Sequence, residues 1–150
     1  MVVILKNLTQ DNWEDCIKLK VNPEQENFVA SNLYSIAEAQ FYTGCTPLAV
    51  YDDETLVGFI MYEPDVMNQI EKAYFICRLM IDSTYQGRGY GRAAMQQVIS
   101  RLKEYPDCQV IKTSYVPENT VAAKLYHRLG FVPTGEVEDG EIIVQLGIKN

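Results

Sequence analysis

The sequence predicts a mixed α/β domain in which one sheet of about seven strands carries helices on both faces. Three observations lead there. Strand-like runs and helically spaced apolar stripes follow one another in the order β α α β β β α β α β β. That is neither the strict alternation of a doubly wound fold nor a block of strands followed by a block of helices. The densest glycine cluster stands between a β-prone run and a helical stripe, so a strand, loop, helix, strand unit lies past the middle of the chain. Finally, 150 residues that are 47% hydrophobic and 22% charged fit one domain, 1–150, with one core.

The elements follow in order. Residues 2–5 (Val-Val-Ile-Leu) are a β-branched run, and without a basic segment or a long apolar stretch they read as a strand, not a signal peptide. Thr9, Asp11 and Asn12 offer caps to a first helix with Trp13, Cys16 and Ile17 on its apolar face. Pro23 interrupts it, and Phe28, Val29, Leu33, Ile36 and Ala37 restart a helical period that is expected to end near Gly44. Residues 48–51 and 56–62, joined by Asp52, Asp53 and Glu54, predict a hairpin. Residues 73–81 are a long β-prone strand running into the glycines. Ala94, Met95, Val98, Ile99 and Leu102 trace a helix closed by Pro106, and residues 109–114 form the next strand. The segment Pro117-Glu-Asn-Thr120 opens a last helix that stops at Gly130, and residues 131–132 and 142–146 supply the final strands.

Composition narrows the function. Thirteen Lys plus Arg against twenty Asp plus Glu give a net charge of -7, which argues against affinity for nucleic-acid phosphates and favours a cationic substrate. No apolar stretch approaches the roughly 18 residues of a membrane span. Four widely spaced cysteines and a single histidine, His127, make a metal site unexpected. Reduced thiols in a cytoplasmic protein are the expectation.

The glycine cluster, Gln86-Gly-Arg-Gly-Tyr-Gly91, sits where a strand passes into a helix, so free amides and the positive end of the helix dipole make an anion site. Arg88 and Arg92 place two guanidinium groups beside it in an otherwise acidic chain, as a pyrophosphate would require. A Walker A string is missing. The run Gly89-Tyr-Gly91-Arg-Ala-Ala94 matches a dinucleotide fingerprint, but too few βα repeats follow it for that fold.

These residues resemble the GNAT superfamily of acetyl-CoA-dependent N-acetyltransferases. The glycine cluster satisfies that family's Q/R-x-x-G-x-G/A signature. Asn119-Thr-Val-Ala122-Ala-Lys-Leu125-Tyr126-His-Arg-Leu-Gly130-Phe131 is similar to its second motif. The resemblance implies a largely antiparallel sheet splayed in the middle and acetyl-CoA as co-substrate, without a metal. It also implies a coenzyme site made of Leu79, Met80, Ile81, Gln86, Gly87, Arg88, Gly89, Tyr90, Gly91, Arg92, Asn119 and Ala122. Tyr126 matches the family's general acid, which reprotonates the leaving thiolate. With ordinary pKa values near 10 for a phenol and roughly 8.5 for a thiol, that transfer is expected to be downhill. Direct attack by a neutral amine follows, because no partner is visible that would make Cys77 an acyl carrier. Glu71 is the leading base, with Glu63 and Asp82 behind it, or a water relay in their place.

The region around Asn22 to Ala39 resembles the branch of bacterial spermine/spermidine acetyltransferases, which implies a small cationic amine, a polyamine, as acceptor. Glu24, Glu26 and Glu38 would supply the anions, and Tyr74, with Phe28 and Tyr34, the aliphatic contacts. Two alternatives stand beside it: a peptide N-terminal or other small-amine acetyltransferase, and a non-catalytic acyl-CoA sensor. Enzymes of this kind are often dimers, so a homodimer is also implied.

Overall fold

A computed structural model describes residues 1–66 and 72–148. Among them seven strands, β1 (Val3–Asn7), β2 (Thr46–Asp52), β3 (Thr55–Pro64), β4 (Ala73–Ile81), β5 (Val110–Tyr115), β6 (Val132–Glu138) and β7 (Glu141–Gly147), form one sheet in the order β1-β2-β3-β4-β5-β7-β6. Only β4 and β5 pair in parallel, as the strand, helix, strand unit requires; every other pair is antiparallel. The helices α1 (Trp13–Lys18) and α2 (Asn32–Ala39) cover one face, and α3 (Tyr90–Lys103) and α4 (Thr120–Arg128) the other.

The alternation of side chains along the strands divides the core accordingly. Phe59, Met61 and Met80 pack with Cys16, Ile36 and Ala39 beneath α1 and α2. Ile60, Ile76, Ile111 and Val144 pack with Ala94, Met95, Val98 and Leu102 of α3 and Tyr126 of α4. All four cysteines are free thiols. No helix among the described residues is long and apolar enough to cross a membrane.

Two local expectations are corrected. The helical period starting at Phe28 does not run to Gly44. Residues 23–25 form a short 3-10 turn, and α2 begins only at Asn32, where the Ser31 hydroxyl accepts the Tyr34 N–H at 3.1 Å and fixes the start. The final strand pair is longer than residues 131–132 suggested. β6 continues to Glu138 because an irregularity between Pro133 and Val137, with Gly135 at φ 89°, lets a polar sequence stay paired with β7.

Candidate active site

The parallel pairing of β4 with β5 starts at Ala73↔Val110 and ends at Ile76↔Thr113. Beyond that rung each strand stays bonded on its outer side only, β4 to β3 as far as Ile81 and β5 to β7 as far as Tyr115. The sheet therefore opens into a fork. Cys77 is the extra residue in the register between Met61↔Arg78 and Tyr62↔Ile76, and such a bulge bends and twists the strand just where β4 leaves its neighbour. Leu79, Met80 and Ile81 lie along the open edge.

On the face of α3 and α4, β4 passes through Ser83–Tyr85 into the glycine loop. Gly87 and Gly89 have φ of 77° and 89°, left-handed backbone that a β-branched residue would strain. The first intrahelical bond of α3 runs from the Ala93 N–H to the Gly89 carbonyl at 3.1 Å, so the amides of Tyr90, Gly91 and Arg92 precede the helical ladder. Gly91 has ordinary helical backbone, and a Cβ there would meet nothing closer than 3.6 Å. The protein itself does not need a glycine at that position, and its bareness leaves room for a group outside the chain. Arg88 and Arg92 are exposed beside these amides. This arrangement fits a pyrophosphate.

Three expected coenzyme contacts are narrowed. The Gln86 side chain is occupied as a brace, donating to the Ile81 carbonyl at 2.9 Å and bonding Gln25 of the 3-10 turn. The Tyr90 ring is buried and its hydroxyl donates to Asp52, so only its backbone can face a ligand. The Asn119 side-chain oxygen accepts the Ala122 N–H at 3.2 Å, capping α4, and its amide N–H groups remain as donors.

Tyr126 projects from α4 to the base of the fork. It is 5% exposed, and burial pushes its phenol up to about 12, partly offset by the hydroxyl of Thr113 and reinforced by the charge of Glu141. This corrects the expected direction of proton transfer. A phenol that is a weaker acid than the thiol gives up its proton uphill, and the raised value steepens the climb. Tyr126 can act only if its proton moves as the C–S bond breaks and is replaced at once from the nitrogen that has just been acylated. His127, one residue on, is exposed. Cys77 is a poor nucleophile, because burial, and then the charge of Glu63, push its thiol well above the ordinary range.

The other face of the fork opens into a cleft of about 1020 Å³ walled by α2, the loop after it, the ends of β3 to β5 and the β6–β7 turn. Among the described residues, Glu38, Glu63, Asp65, Glu136, Glu138, Asp139 and Glu141 face it against only Arg78 and Lys112, so this lining is strongly anionic. Both cations are engaged, Arg78 with Glu38 at 3.1 Å and Lys112 with Asp65 at 3.2 Å. Glu63 is half-buried. Its carboxyl is held above the usual range by burial and then by Glu38, with Arg78 pulling the other way. Glu141 accepts from the Ser114 hydroxyl at 3.1 Å.

The cleft thus gathers Glu38, expected at the acceptor, and Glu63, a candidate base, while Glu24, Glu26, Tyr74 and Asp82 lie outside its lining. Glu24 and Glu26 stand exposed at the 3-10 turn that braces the glycine loop. Tyr74 hydrogen-bonds Asp107 at 3.2 Å and packs edge-on against Tyr105. Asp82 caps its own turn, accepting from the amides of Lys20 and Thr84. Glu71 lies outside the described residues. Sequence reasoning missed the β6–β7 turn, although its run Glu136-Val-Glu-Asp-Gly-Glu141 is acidic enough to have been noticed.

Residues 5–131 match the family described as Acetyltransferase (GNAT) family. The chain is 31% identical over 149 residues to a spermine/spermidine N(1)-acetyltransferase of Bacillus subtilis, covering 96% of this chain and 97% of that one. Its fold is similar to the PaiA N-acetyltransferase of Thermoplasma acidophilum in complex with coenzyme A, with TM-score 0.71, 17% identity and coverage of 98% and 99%. It is also similar to the ribosomal-protein-S18-alanine N-acetyltransferase of Escherichia coli, with TM-score 0.75, 18% identity and coverage of 99% and 96%. With the forked sheet, the glycine loop and the family match over most of its length, the chain belongs to the GNAT family of N-acetyltransferases.

Proposed function

We propose that this acetyltransferase moves an acetyl group from acetyl-CoA to a primary amine of a linear polyamine. The observation that carries the acceptor class is the anionic cleft on the far side of the fork, whose rim adds exposed Tyr42, Val66 and Val137 to its carboxylates. Alternating charged and apolar surface suits a chain that alternates ammonium and methylene groups. The kinship to a spermine/spermidine N(1)-acetyltransferase points the same way.

In this reading the pyrophosphate rests on the amides of residues 87–92 with Arg88 and Arg92. The pantetheine arm pairs with the open backbone of Leu79, Met80 and Ile81, and the side-chain amide of Asn119 beside Ala122 supplies a further donor. Bound acetyl-CoA supplies an activated acyl group at the fork. Tyr126 protonates the departing sulfur, and Glu63 with the β6–β7 turn holds the remote ammonium groups. A coenzyme-release screen of spermidine, spermine, putrescine, aminoglycosides and short peptides tests it. Turnover with peptides but not polyamines overturns the acceptor, and no turnover with any amine overturns the enzyme reading.

A further inference from the structure

The described part of β4 carries no carboxylate, so a base for the attacking amine must come from another element if it comes from this part of the chain. Four carboxylates line the cleft close to the fork strands: Glu38, Glu63, Asp65 and Glu141. Glu38 is committed to Arg78 and Asp65 to Lys112. Glu63 is engaged with the Cys45 thiol and lies opposite Phe75, at a level where β4 and β5 are still paired. Glu141 differs from all three. Its bonded partner, the Ser114 hydroxyl, belongs to the first residue of β5 past the last parallel rung.

The alternation of β5 gives this position its meaning. Thr113 points to the α4 face, where its hydroxyl adjoins the Tyr126 phenol, and Ser114 points to the cleft. Two consecutive residues thus place an acid on one face of the open sheet and a carboxylate on the other. Glu141 is also the charged side chain that raises the phenol's pKa, which puts the two groups within electrostatic reach across the fork.

We infer that Glu141, oriented by Ser114, takes the proton from the attacking ammonium group. The inference rests on placing the thioester in the fork beside Tyr126. The ammonium gives one proton to the Glu141 carboxylate, and its lone pair forms the N–C bond at the acyl carbon. The C–S bond breaks, and the sulfur takes the Tyr126 proton. The acylated nitrogen then returns its surplus proton to the phenolate, and Glu141 releases its own to solvent. The products are amide, free thiol and one proton. Ser114 is a positioning residue, since it reaches the amine only through the carboxylate.

The test uses a matched pair of monoamines, an alkylamine that is protonated at neutral pH and a fluorinated analogue that is not. Glu141→Gln is expected to lower kcat/KM for the protonated amine by about 100- to 10,000-fold. The loss for the neutral amine should be at least about tenfold smaller, because that amine needs no base before it attacks. Calorimetry without acetyl donor should show weaker binding of the protonated amine only, with coenzyme affinity unchanged. Ser114→Ala should show the same pattern more weakly. Equal losses for both amines, or full activity of Glu141→Gln, overturn the assignment. So does the same rescue pattern in Glu63→Gln or Glu71→Gln instead. If Tyr126→Phe is also fully active, the placement of the thioester fails with it; if Tyr126→Phe is impaired, only the role of Glu141 fails.

Discussion

The Thr113 hydroxyl donates to the Ile76 carbonyl at 2.9 Å, a side-chain bond laid across the last rung before β4 and β5 part. Thr113 is 1% exposed, so this bond is made without competition from water. Thr113→Val keeps the shape and leaves the Ile76 carbonyl without its donor. The expected cost is about 1–3 kcal/mol in urea denaturation. An unchanged midpoint would show that the backbone pairing alone holds the apex of the fork.

Gly91→Ala separates stability from binding. Position 91 is helical and roomy inside the protein, so alanine should stabilise α3 by up to about 1 kcal/mol. Coenzyme A should nevertheless bind more weakly by calorimetry, because the new methyl group, set against Leu125 and Ile81, narrows the space between α3, α4 and the open end of β4 proposed for the coenzyme. Equal affinity would move the pyrophosphate away from this loop. Gly89→Val should lose both affinity and some stability, since its backbone is left-handed.

The loop proposed for the coenzyme was legible as a strand-to-helix turn because its signals are local: glycines at fixed spacing, a helix start and two arginines all fall within seven residues. The order of elements along the chain was legible for a related reason, since the pattern changes between period 2 and period 3.6 wherever a strand and a helix meet. The cleft proposed for the acceptor is lined by Glu38 on α2, Glu63 on β3, Ser114 on β5 and Glu141 on β7, which no spacing in the chain connects. Glu24 and Glu26 looked equivalent to Glu38 by sequence. The 3-10 turn at Pro23 and the late start of α2 at Ser31 put them on different surfaces.

Glu63 gives a stability prediction with a definite sign. A carboxyl whose folded pKa is raised favours the fold when protonated. That contribution is complete below its unfolded value near 4.5 and is lost as pH rises through the higher folded value. At neutral pH the ionised group is therefore a net cost. Glu63→Gln should raise Tm at pH 7, with the gain fading toward pH 4, while KM for a polyamine increases. A Tm gain that persists at pH 4 would place its origin outside this ionisation.

Tyr126→Phe should lower kcat by roughly ten- to a thousandfold with little change in coenzyme affinity, because a positioned donor is lost and water replaces it in part. Since the phenol is held up to about 12, the wild-type rate should show no loss assignable to its ionisation between pH 7 and pH 9. A single-turnover rate equal to that of the wild type would remove Tyr126 from the chemistry.

The cleft and the sequence reading forecast different acceptor residues, which makes polyamine preference a decisive measurement. A linear polyamine should have a higher kcat/KM than a monoamine of similar length, and raising salt should shrink the advantage, because added ions screen an exposed anionic surface over about 10 Å at 0.1 M. Steering is only part of the effect. A second ammonium anchored at Glu63 or the β6–β7 turn fixes where the first one meets the thioester, so the spacing between amines should matter at constant charge. Neutralising Glu136, Glu138 and Asp139 as Gln, Gln and Asn should therefore flatten both the preference and its salt dependence. These three side chains are exposed, so the fold should tolerate the change. Glu24→Gln with Glu26→Gln is the opposing pair: those carboxylates stand by the glycine-loop brace, outside the cleft lining, and their loss should leave the ratio of polyamine to monoamine turnover unchanged. If that pair abolishes the preference while the turn variant keeps it, the amine approaches along the 3-10 turn and the cleft assignment is wrong. If monoamines match polyamines throughout, the acceptor is not a polyamine, and the acetyltransferase family assignment stands without it.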